Sequence, residues 1–294
     1  MVTDNMRKPE ASCETTVSFV EKMYKSAFSR ALLSLLIRPN VSRLIGRYLD
    51  SSVSRLHISP FIRRNAVELS QCEKTHFSSF NDFFTRRLKE GARPVDRDPA
   101  ALIAPCDGLL SVFEIDRDSI LEIKGQHYTV SELAGELLGQ GYNNGLCLIY
   151  RLTPSDYHRY VYFDDCYAHR PRTIPGVLHT VRPLALSRER VFARNARSVT
   201  LLRTENFKDA LQIEVGALLV GRICNEQAER RFRRGDEKGR FEFGGSTIVI
   251  LIENDAARIA PEILSRSKAG LETRVRLGER VGVAANEEAG ICNV

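Results

Sequence analysis

The N-terminal part of the chain carries apolar residues at helical spacing. From Thr16 to Ile37 they recur every three or four positions, with Lys and Ser residues between them, and this pattern predicts an amphipathic helix. Pro39 ends that pattern, and a second one runs from Val41 to Leu56 and stops at Pro60. A third, shorter helix is predicted within FNDFFTRRLK, residues 80–89.

The pattern changes near residue 95, where β-branched and alternating runs replace the helical spacing. Strands are predicted in four runs, namely Leu109–Ile115, Gly145–Leu152, Leu211–Cys224 and Arg240–Ile252. One helix intervenes, since Thr129 and Glu132 form a capping-box pattern and Gly139 supplies a stop. Residues 235–239, GDEKG, predict a hairpin loop. The expected fold is α+β, with N-terminal amphipathic helices followed by a largely antiparallel β-sheet domain.

The charge is distributed as unevenly as the hydrophobic pattern. The chain of 294 residues carries a net charge of +6, and residues 1–95 hold 16 Lys and Arg against 9 Asp and Glu. Basic amphipathic helices are typical of proteins that bind anionic membranes, although helices that pack on the rest of the protein are the plain alternative. We therefore expect residues 1–95 to be a helical, basic, membrane-associating region and 96–294 to be a separate domain. The helices lack DNA-reading motifs, so we expect no nucleic-acid partner.

The cysteines and the apolar runs argue against several other classes of protein. All seven cysteines stand singly, without a Cys/His cluster at metal spacing, so we expect no metal site. The longest apolar runs fall far short of the roughly 20 residues of a spanning helix. The first fifteen residues contain three acidic residues and no apolar core of a signal peptide. We expect a reduced, cytoplasmic environment and only peripheral membrane contact.

Three polar motifs at the ends of predicted strands hold candidate catalytic groups. Residues 243–247, FGGST, place two glycines and two hydroxyls before an apolar run. A bulge at a strand start would explain them, but so would a strained Gly245–Ser246 bond that the Ser246 hydroxyl attacks. His158 follows a predicted strand within PSDYHRY, and Asp107 lies in the tight turn PCDG. Each motif alone is compatible with an ordinary structural role.

Taken together, these motifs resemble the phosphatidylserine decarboxylase proenzyme family. The resemblance extends from about Phe80 to the C-terminus and rests on motifs in the family's order: FNDFFTRRLK, ARP, PCDG, DYHR and GDEKGRFEFGGST. It implies a self-processing enzyme in which Ser246 attacks the carbonyl of Gly245. Cleavage would give a β chain of residues 1–245 and an α chain of residues 246–294 that remain partners, and Ser246 would become a covalent pyruvoyl cofactor.

The resemblance also implies the reaction. The pyruvoyl ketone would condense with the amine of phosphatidylserine and accept the electrons released with CO₂, so that phosphatidylethanolamine forms. His158 matches the family's decarboxylation histidine, and Asp107 matches an aspartate of the self-cleavage relay. Residues 96–294 would then be the pyruvoyl-dependent catalytic domain. Because the substrate lies in an anionic membrane, we expect a peripheral protein on the cytoplasmic side of the cell membrane, and a homodimer is compatible with the sequence.

One position departs from the family pattern Asp-Tyr-His-Arg-x-His. Val161 replaces the second histidine, which is the general base of the self-cleavage relay. A positioned base contributes about 10²- to 10⁴-fold to a rate. Three outcomes stay open: another base serves (His158, His169 or His179), processing is slow, or the chain does not mature and binds lipid without catalysis. A pyruvoyl decarboxylase of another amino acid is a further alternative.

Overall fold

The computed structural model describes residues 39–123, 125–135, 140–179, 190–217, 222–226, 229–243 and 246–285. The helix predicted at 16–37 lies outside these residues, as do Gly139, Gly244 and Gly245. Within them, the fold is α+β, as expected, with N-terminal helices followed by mostly antiparallel sheet.

The second predicted helix is divided into three pieces: α1 (Pro39–Asp50), a 3₁₀ helix (Ser52–His57) and α2 (Ile58–Asn65). The expectation that Pro60 ends the helix was wrong. Pro60 lies in the first turn of α2, where a missing N–H costs little because first-turn N–H groups have no acceptor within the helix. The helix ends instead at Ala66, whose φ of 50° is left-handed.

The third predicted helix forms but is shorter than the run that predicted it. Helix α3 (Phe80–Phe84) begins at Ser79, whose hydroxyl accepts a hydrogen bond from the Asp82 N–H. Its three phenylalanines are buried and form a cluster with α1 and the segment after α2. Phe61 of α2 packs edge-on against them. This aromatic cluster, rather than helix propensity, holds the short helices together.

Antiparallel pairing organises the rest of the chain. The strands are β1 (Ala101–Ile103), β2 (Gly108–Glu114), β3 (Ile120–Ile123), β4 (Gln126–Thr129), β5 (Leu146–Leu152), β6 (Arg159–Val161), β7 (Cys166–Ala168), β8 (Arg172–Ile174), β9 (Arg197–Thr204), β10 (Asp209–Val215), β11 (Ile223–Asn225), β12 (Arg230–Phe232), β13 (Glu237–Phe241), β14 (Ser246–Ile252), β15 (Ala257–Ile259), β16 (Thr273–Val275) and β17 (Arg280–Ala284). The helices among them are α4 (Val130–Ala134), a 3₁₀ turn (Gln140–Tyr142), α5 (Val191–Arg194) and α6 (Pro261–Lys268).

The largest sheet has the order β12-β7-β9-β10-β14-β5-β2-β16, and β8 also pairs with β9. Two three-stranded sheets, β1-β17-β15 and β11-β13-β6, and the pair β3-β4 complete the described fold. Strand β14 lies near the centre of the large sheet, and all seven of its residues are buried. Its even-numbered residues from Ile248 pack into one hydrophobic core and its odd-numbered residues from Val249 into a second. Ser246 and Thr247 therefore face opposite sides of the sheet.

The capping box at Thr129 is confirmed. The Thr129 hydroxyl accepts a hydrogen bond from the Glu132 N–H at 3.1 Å, and the Glu132 carboxylate accepts one from the Thr129 N–H at 2.9 Å. Helix α4 ends earlier than predicted, because Gly135 adopts a left-handed conformation with φ 74°.

The predicted hairpin at residues 235–239 was wrong. Strand β12 pairs with β7, whereas β13 pairs with β6 and β11, so the two strands that flank this segment belong to different sheets. The polar residues of this segment suggested an exposed loop, but Lys238 is buried and its ammonium donates a hydrogen bond to the Glu214 carboxylate at 2.7 Å. The long runs 211–224 and 240–252 are likewise each divided into two strands.

Candidate active site

Ser246 is the first residue of β14 and is fully buried. It lies opposite Leu152, the last residue of β5. The loop that follows β5 returns His158 to the same side of the sheet, and the Ser246 Oγ lies 3.3 Å from the His158 Nδ1. The sequence predicted both residues as site residues, and the structure brings their side chains into contact. Gly245, the other residue of the predicted cleavage bond, lies outside the described residues.

The tautomer of His158 follows from its second hydrogen bond. Its Nε2 lies 3.1 Å from the carbonyl oxygen of Thr153. Because a carbonyl can only accept, we assign the proton to Nε2, which then donates to Thr153. Nδ1 therefore carries a lone pair, and the Ser246 hydroxyl donates to it. This arrangement makes His158 a proton acceptor for Ser246.

The surroundings of His158 keep its ring neutral. The pKa of His158 is lowered from 6.5 to about 3, mainly by burial and also by the nearby positive charge of Arg86, while the hydrogen bond to the Thr153 carbonyl acts in the opposite direction. One face of the imidazole stacks on Phe84, with ring centroids 4.0 Å apart and an angle of 28° between the planes. His158 is thus unprotonated near neutral pH, so that it can accept a proton.

Arg86 fixes the loop that carries His158, and sequence reasoning did not single it out. Its side chain is buried, and Nη2 donates to the carbonyl oxygens of Ser155 at 3.0 Å and Asp156 at 3.1 Å. Its Nε and Nη1 have no hydrogen-bond partner among the described residues. Desolvation by burial lowers the pKa of Arg86. The only sequence signal was its place in the segment FNDFFTRRLK.

Asn81, in the same segment, contacts Phe243, which precedes the predicted cleavage site. Its side-chain oxygen accepts a hydrogen bond from the N–H of Phe243 at 3.2 Å, and its amide nitrogen donates to Asp50 at 2.8 Å. Phe243 also packs against Phe80 and Phe84, with centroid distances of 4.9 and 5.2 Å. Helix α3 therefore supports both His158 and Phe243, which precedes the predicted cleavage bond.

Asp107 lies in the turn before β2 and forms contacts that differ from the relay expected for it. Both of its oxygens bind the Arg93 guanidinium, at 2.8 and 2.6 Å, and Oδ1 also accepts from the Leu277 N–H at 2.9 Å. These contacts tie the ARP motif to the PCDG turn. The hydrogen bonds described for Asp107 do not include His158 or Ser246.

Val161 lies beside that turn. Its side chain is buried, and its N–H donates to the carbonyl oxygen of Pro105 at 2.9 Å. Residue 161 is therefore bound to the turn that carries Asp107, but the valine side chain offers no proton acceptor. The position that the family fills with a base is apolar in this chain.

The other two histidines that were considered are placed by their backbone contacts. His169 donates its backbone N–H to Leu201 of β9, at 2.9 Å. Leu201 pairs with Leu211 of β10, and Leu211 pairs with Leu251 of β14. Leu251 lies five residues beyond Ser246 on that strand. That offset corresponds to about 16 Å along the strand. His179 is bound to Asn195 through both its N–H and its carbonyl oxygen. His158 is the histidine that contacts Ser246.

Comparisons with known proteins agree with the motifs. The family model for phosphatidylserine decarboxylase matches residues 80–283. The chain is 43% identical over 262 residues to phosphatidylserine decarboxylase proenzyme 2 of Clostridium acetobutylicum, covering 88% of this chain and 90% of the relative. It is 39% identical to the phosphatidylserine decarboxylase proenzyme of Clostridium beijerinckii, over 90% of this chain and 92% of the relative. It is 40% identical to that of Ruminiclostridium cellulolyticum, over 88% and 89%. The chain belongs to the phosphatidylserine decarboxylase family, a family of carboxy-lyases.

Proposed function

We propose that this chain decarboxylates phosphatidylserine to phosphatidylethanolamine by means of a pyruvoyl group, which it makes by cleaving its own Gly245–Ser246 bond. The observation that carries the proposal is the contact between the Ser246 hydroxyl and the neutral, buried imidazole of His158. A serine needs such a base to become a nucleophile. In this proposal residues 96–294 form the catalytic domain and hold the reacting groups. Residues 1–95 associate with the membrane through their first helices, while Phe84 and Arg86 of the same region support His158 and its loop.

His158 acts first as the base of self-cleavage. Its Nδ1 takes the proton from Ser246 as the hydroxyl oxygen attacks the carbonyl carbon of Gly245, so that the peptide bond becomes an ester. The imidazolium returns this proton to the nitrogen of Ser246, which leaves the Gly245 carbon as a free amine. The imidazole then takes the Cα proton of Ser246, and a double bond forms between Cα and Cβ as the bond between Cβ and Oγ breaks. The β chain ends in the carboxylate of Gly245, and a dehydroalanine begins the α chain. His158 thus takes the role of the relay histidine, whose position in this chain is occupied by Val161.

The site suits a pyruvoyl group formed at position 246, because the precursor hydroxyl is buried beside one proton carrier and away from water. The ketone of that group supplies the electrophile that takes the substrate amine and the sink for the electrons released with CO₂. Nδ1 of His158 faces this position, where it can accept a proton from the substrate ammonium and return it to the carbon that loses CO₂. Asp107 and Arg93 fix the adjacent turn.

The cleaved chains stay together because the sheet spans the cut. Strand β14 would belong to the α chain, yet it pairs over its length with β10 on one side and β5 on the other. Strands β16 and β17 likewise pair with β2 and β1. The α chain, 49 residues in this proposal, remains part of the core of the β chain.

An exposed apolar patch supports contact with the membrane. Four of the five exposed large hydrophobic side chains among the described residues lie in α1 and the 3₁₀ helix, and these are Leu44, Tyr48, Val53 and Leu56. Arg47 and Arg55 are exposed in the same segment. Apolar side chains that enter the interface beside cations that attract anionic lipid are typical of peripheral proteins. We propose that this patch docks on the cytoplasmic side of the cell membrane, where phosphatidylserine is the substrate.

No helix in the described ranges combines the length and apolar character needed to cross a bilayer.

The test is the intact mass of the purified chain together with CO₂ release. We expect two chains, the smaller blocked by a pyruvoyl group, and labelled CO₂ from phosphatidylserine carrying label in the serine carboxyl. Free serine serves as the matched substrate without lipid. A single species of 33.2 kDa without CO₂ release would favour a non-maturing lipid-binding protein, and release from free serine alone would favour a decarboxylase of soluble amino acids.

A further inference from the structure

A small cavity lies on the face of the sheet opposite His158. Thr247 lines it from β14, and Ser111 of β2, Arg151 of β5 and Glu272 form the rest of its polar end. The remaining lining is aliphatic and aromatic. The cavity is partly open to the exterior, and the side chains of the Arg151–Glu272 ion pair that lines it are 17% and 20% exposed.

Thr247 points an unsatisfied polar group into this cavity. Its side chain is fully buried, and Oγ1 has no hydrogen-bond partner among the described residues. Buried hydroxyls are almost always hydrogen-bonded to protein or to an ordered water. The cavity gives the centre of a water molecule about 10 Å³ of space, which is enough for one water. The Ser111 hydroxyl and the Arg151–Glu272 pair supply the further polar partners that such a water needs.

We propose that this cavity binds the water molecule that completes pyruvoyl formation, and that the Thr247 hydroxyl positions it. The inference rests on the proposed self-cleavage. Cleavage leaves a dehydroalanine at position 246, which tautomerises to an imine. The oxygen of the water adds to the imine carbon, the nitrogen leaves as ammonia with the water's two protons and the imine N–H, and the ketone remains. No oxidant or reductant is required.

The two faces of β14 differ in their access to water. On the Ser246 side, the side chain packs beside His158, and that ring is itself buried and covered by Phe84. On the other side, the cavity adjoins Thr247, one peptide unit from the reacting carbon. A fully buried residue cannot draw water directly from bulk solvent, so a partly open cavity next to it provides the route.

Thr247→Val tests the proposal, because valine keeps the shape of threonine and removes the hydroxyl. We expect cleavage on gels at the wild-type rate but ammonia release slowed by about tenfold, the effect of one lost hydrogen bond to the attacking water. Quenching with sodium borodeuteride identifies the terminus, since an imine becomes an N-terminal alanine and a ketone becomes a lactyl group. The variant should accumulate alanine at early times. Thr247→Ser, which retains a hydroxyl, should restore ammonia release.

Ser111→Val fills the cavity from a strand that does not adjoin β14 and keeps the proposal testable if Thr247→Val fails to fold. It should also delay ammonia release relative to cleavage. If ammonia release keeps pace with cleavage in the folded variants, the cavity does not supply the water and the inference is wrong. Wild-type protein that never cleaves would instead overturn the proposed function.

Discussion

Ser246 and Thr247 are neighbours on one strand, yet they face different environments. Ser246 contacts the neutral imidazole of His158, which Phe84 covers, whereas Thr247 faces a small, mostly apolar cavity whose polar end includes an ion pair. The alternation of side chains in β14 separates the two surroundings by a single residue. In our account one side performs proton transfer in a dry site and the other delivers water. The comparison shows how a buried strand can combine two chemical steps that need opposite conditions.

The two faces of β14 should differ most in the self-cleavage of the variants Ser246→Ala and Thr247→Ser. We expect Ser246→Ala to abolish cleavage, because no nucleophile remains, whereas Thr247→Ser should cleave normally. The measurement is the fraction of intact chain on gels over time, with equal thermal melting of the two variants as the control for folding. Cleavage of Ser246→Ala at the same position would show that another group attacks the bond.

The Phe84 ring, which covers His158, is the next element to remove. Phe84→Ala deletes the ring that stacks on His158 and leaves a cavity in the helical core, so we expect unfolding to become easier by about 3–5 kcal/mol. Cleavage by the folded protein should slow by about tenfold or more, because the imidazole is no longer held against Ser246. Phe84→Leu fills most of the space and is the matched control. Equal cleavage rates per folded molecule in both variants would mean that the stack has no part in catalysis.

The pH dependence of stability tests the neutral state of His158. Its pKa of about 3 in the folded chain lies below the value near 6.5 expected in the unfolded chain. The unfolded state therefore binds a proton first as the pH falls, so the stabilisation is complete above about pH 6.5 and is lost towards pH 3. Denaturant titrations should show a smaller loss of stability over this range in His158→Gln than in wild type. Equal losses would show that His158 is protonated in the folded chain.

The rate of self-cleavage should also depend on the protonation state of His158. Because His158 stays unprotonated, we expect nearly constant cleavage rates between pH 5 and 8, without the decline near pH 6.5 that an ordinary histidine base would cause. Rates at a series of pH values in one mixed buffer give the answer. A clear inflection near 6.5 would point to a solvent-exposed histidine as the base.

Val161→His should have the smallest effect. If His158 already serves Ser246, restoring the family histidine should change the cleavage rate by less than about threefold, with Val161→Leu as the control for packing. Acceleration by a hundredfold or more would show that the missing relay base limits maturation.

Local patterns in the sequence were sufficient for some elements and not for others. The capping box at Thr129 and the apolar run of β14 are encoded by neighbouring residues, and the structure contains both. Pro60 was misread because a proline in a first turn starts a helix as readily as it ends one. The GDEKG segment was misread because its role depends on a distant partner: Lys238 is buried only because Glu214, on another strand, neutralises it.

The candidate site shows the same limit. Its motifs identified Ser246 and His158, but the tautomer of the histidine depends on the Thr153 carbonyl, and its neutral state depends on burial and on Arg86. Arg86 is 72 positions from His158 in the sequence, and no local pattern connects the two. Only the folded chain shows that a base already contacts Ser246 although Val161 is apolar.

The most direct test of the central claim is the self-cleavage rate of purified His158→Gln precursor beside wild type at pH 7, with thermal melting to confirm that both are folded. Glutamine retains polar atoms but cannot act as a base. Our account predicts that cleavage slows by about 10²- to 10⁴-fold. Cleavage of the folded variant at the wild-type rate would contradict the assignment of His158 as the base.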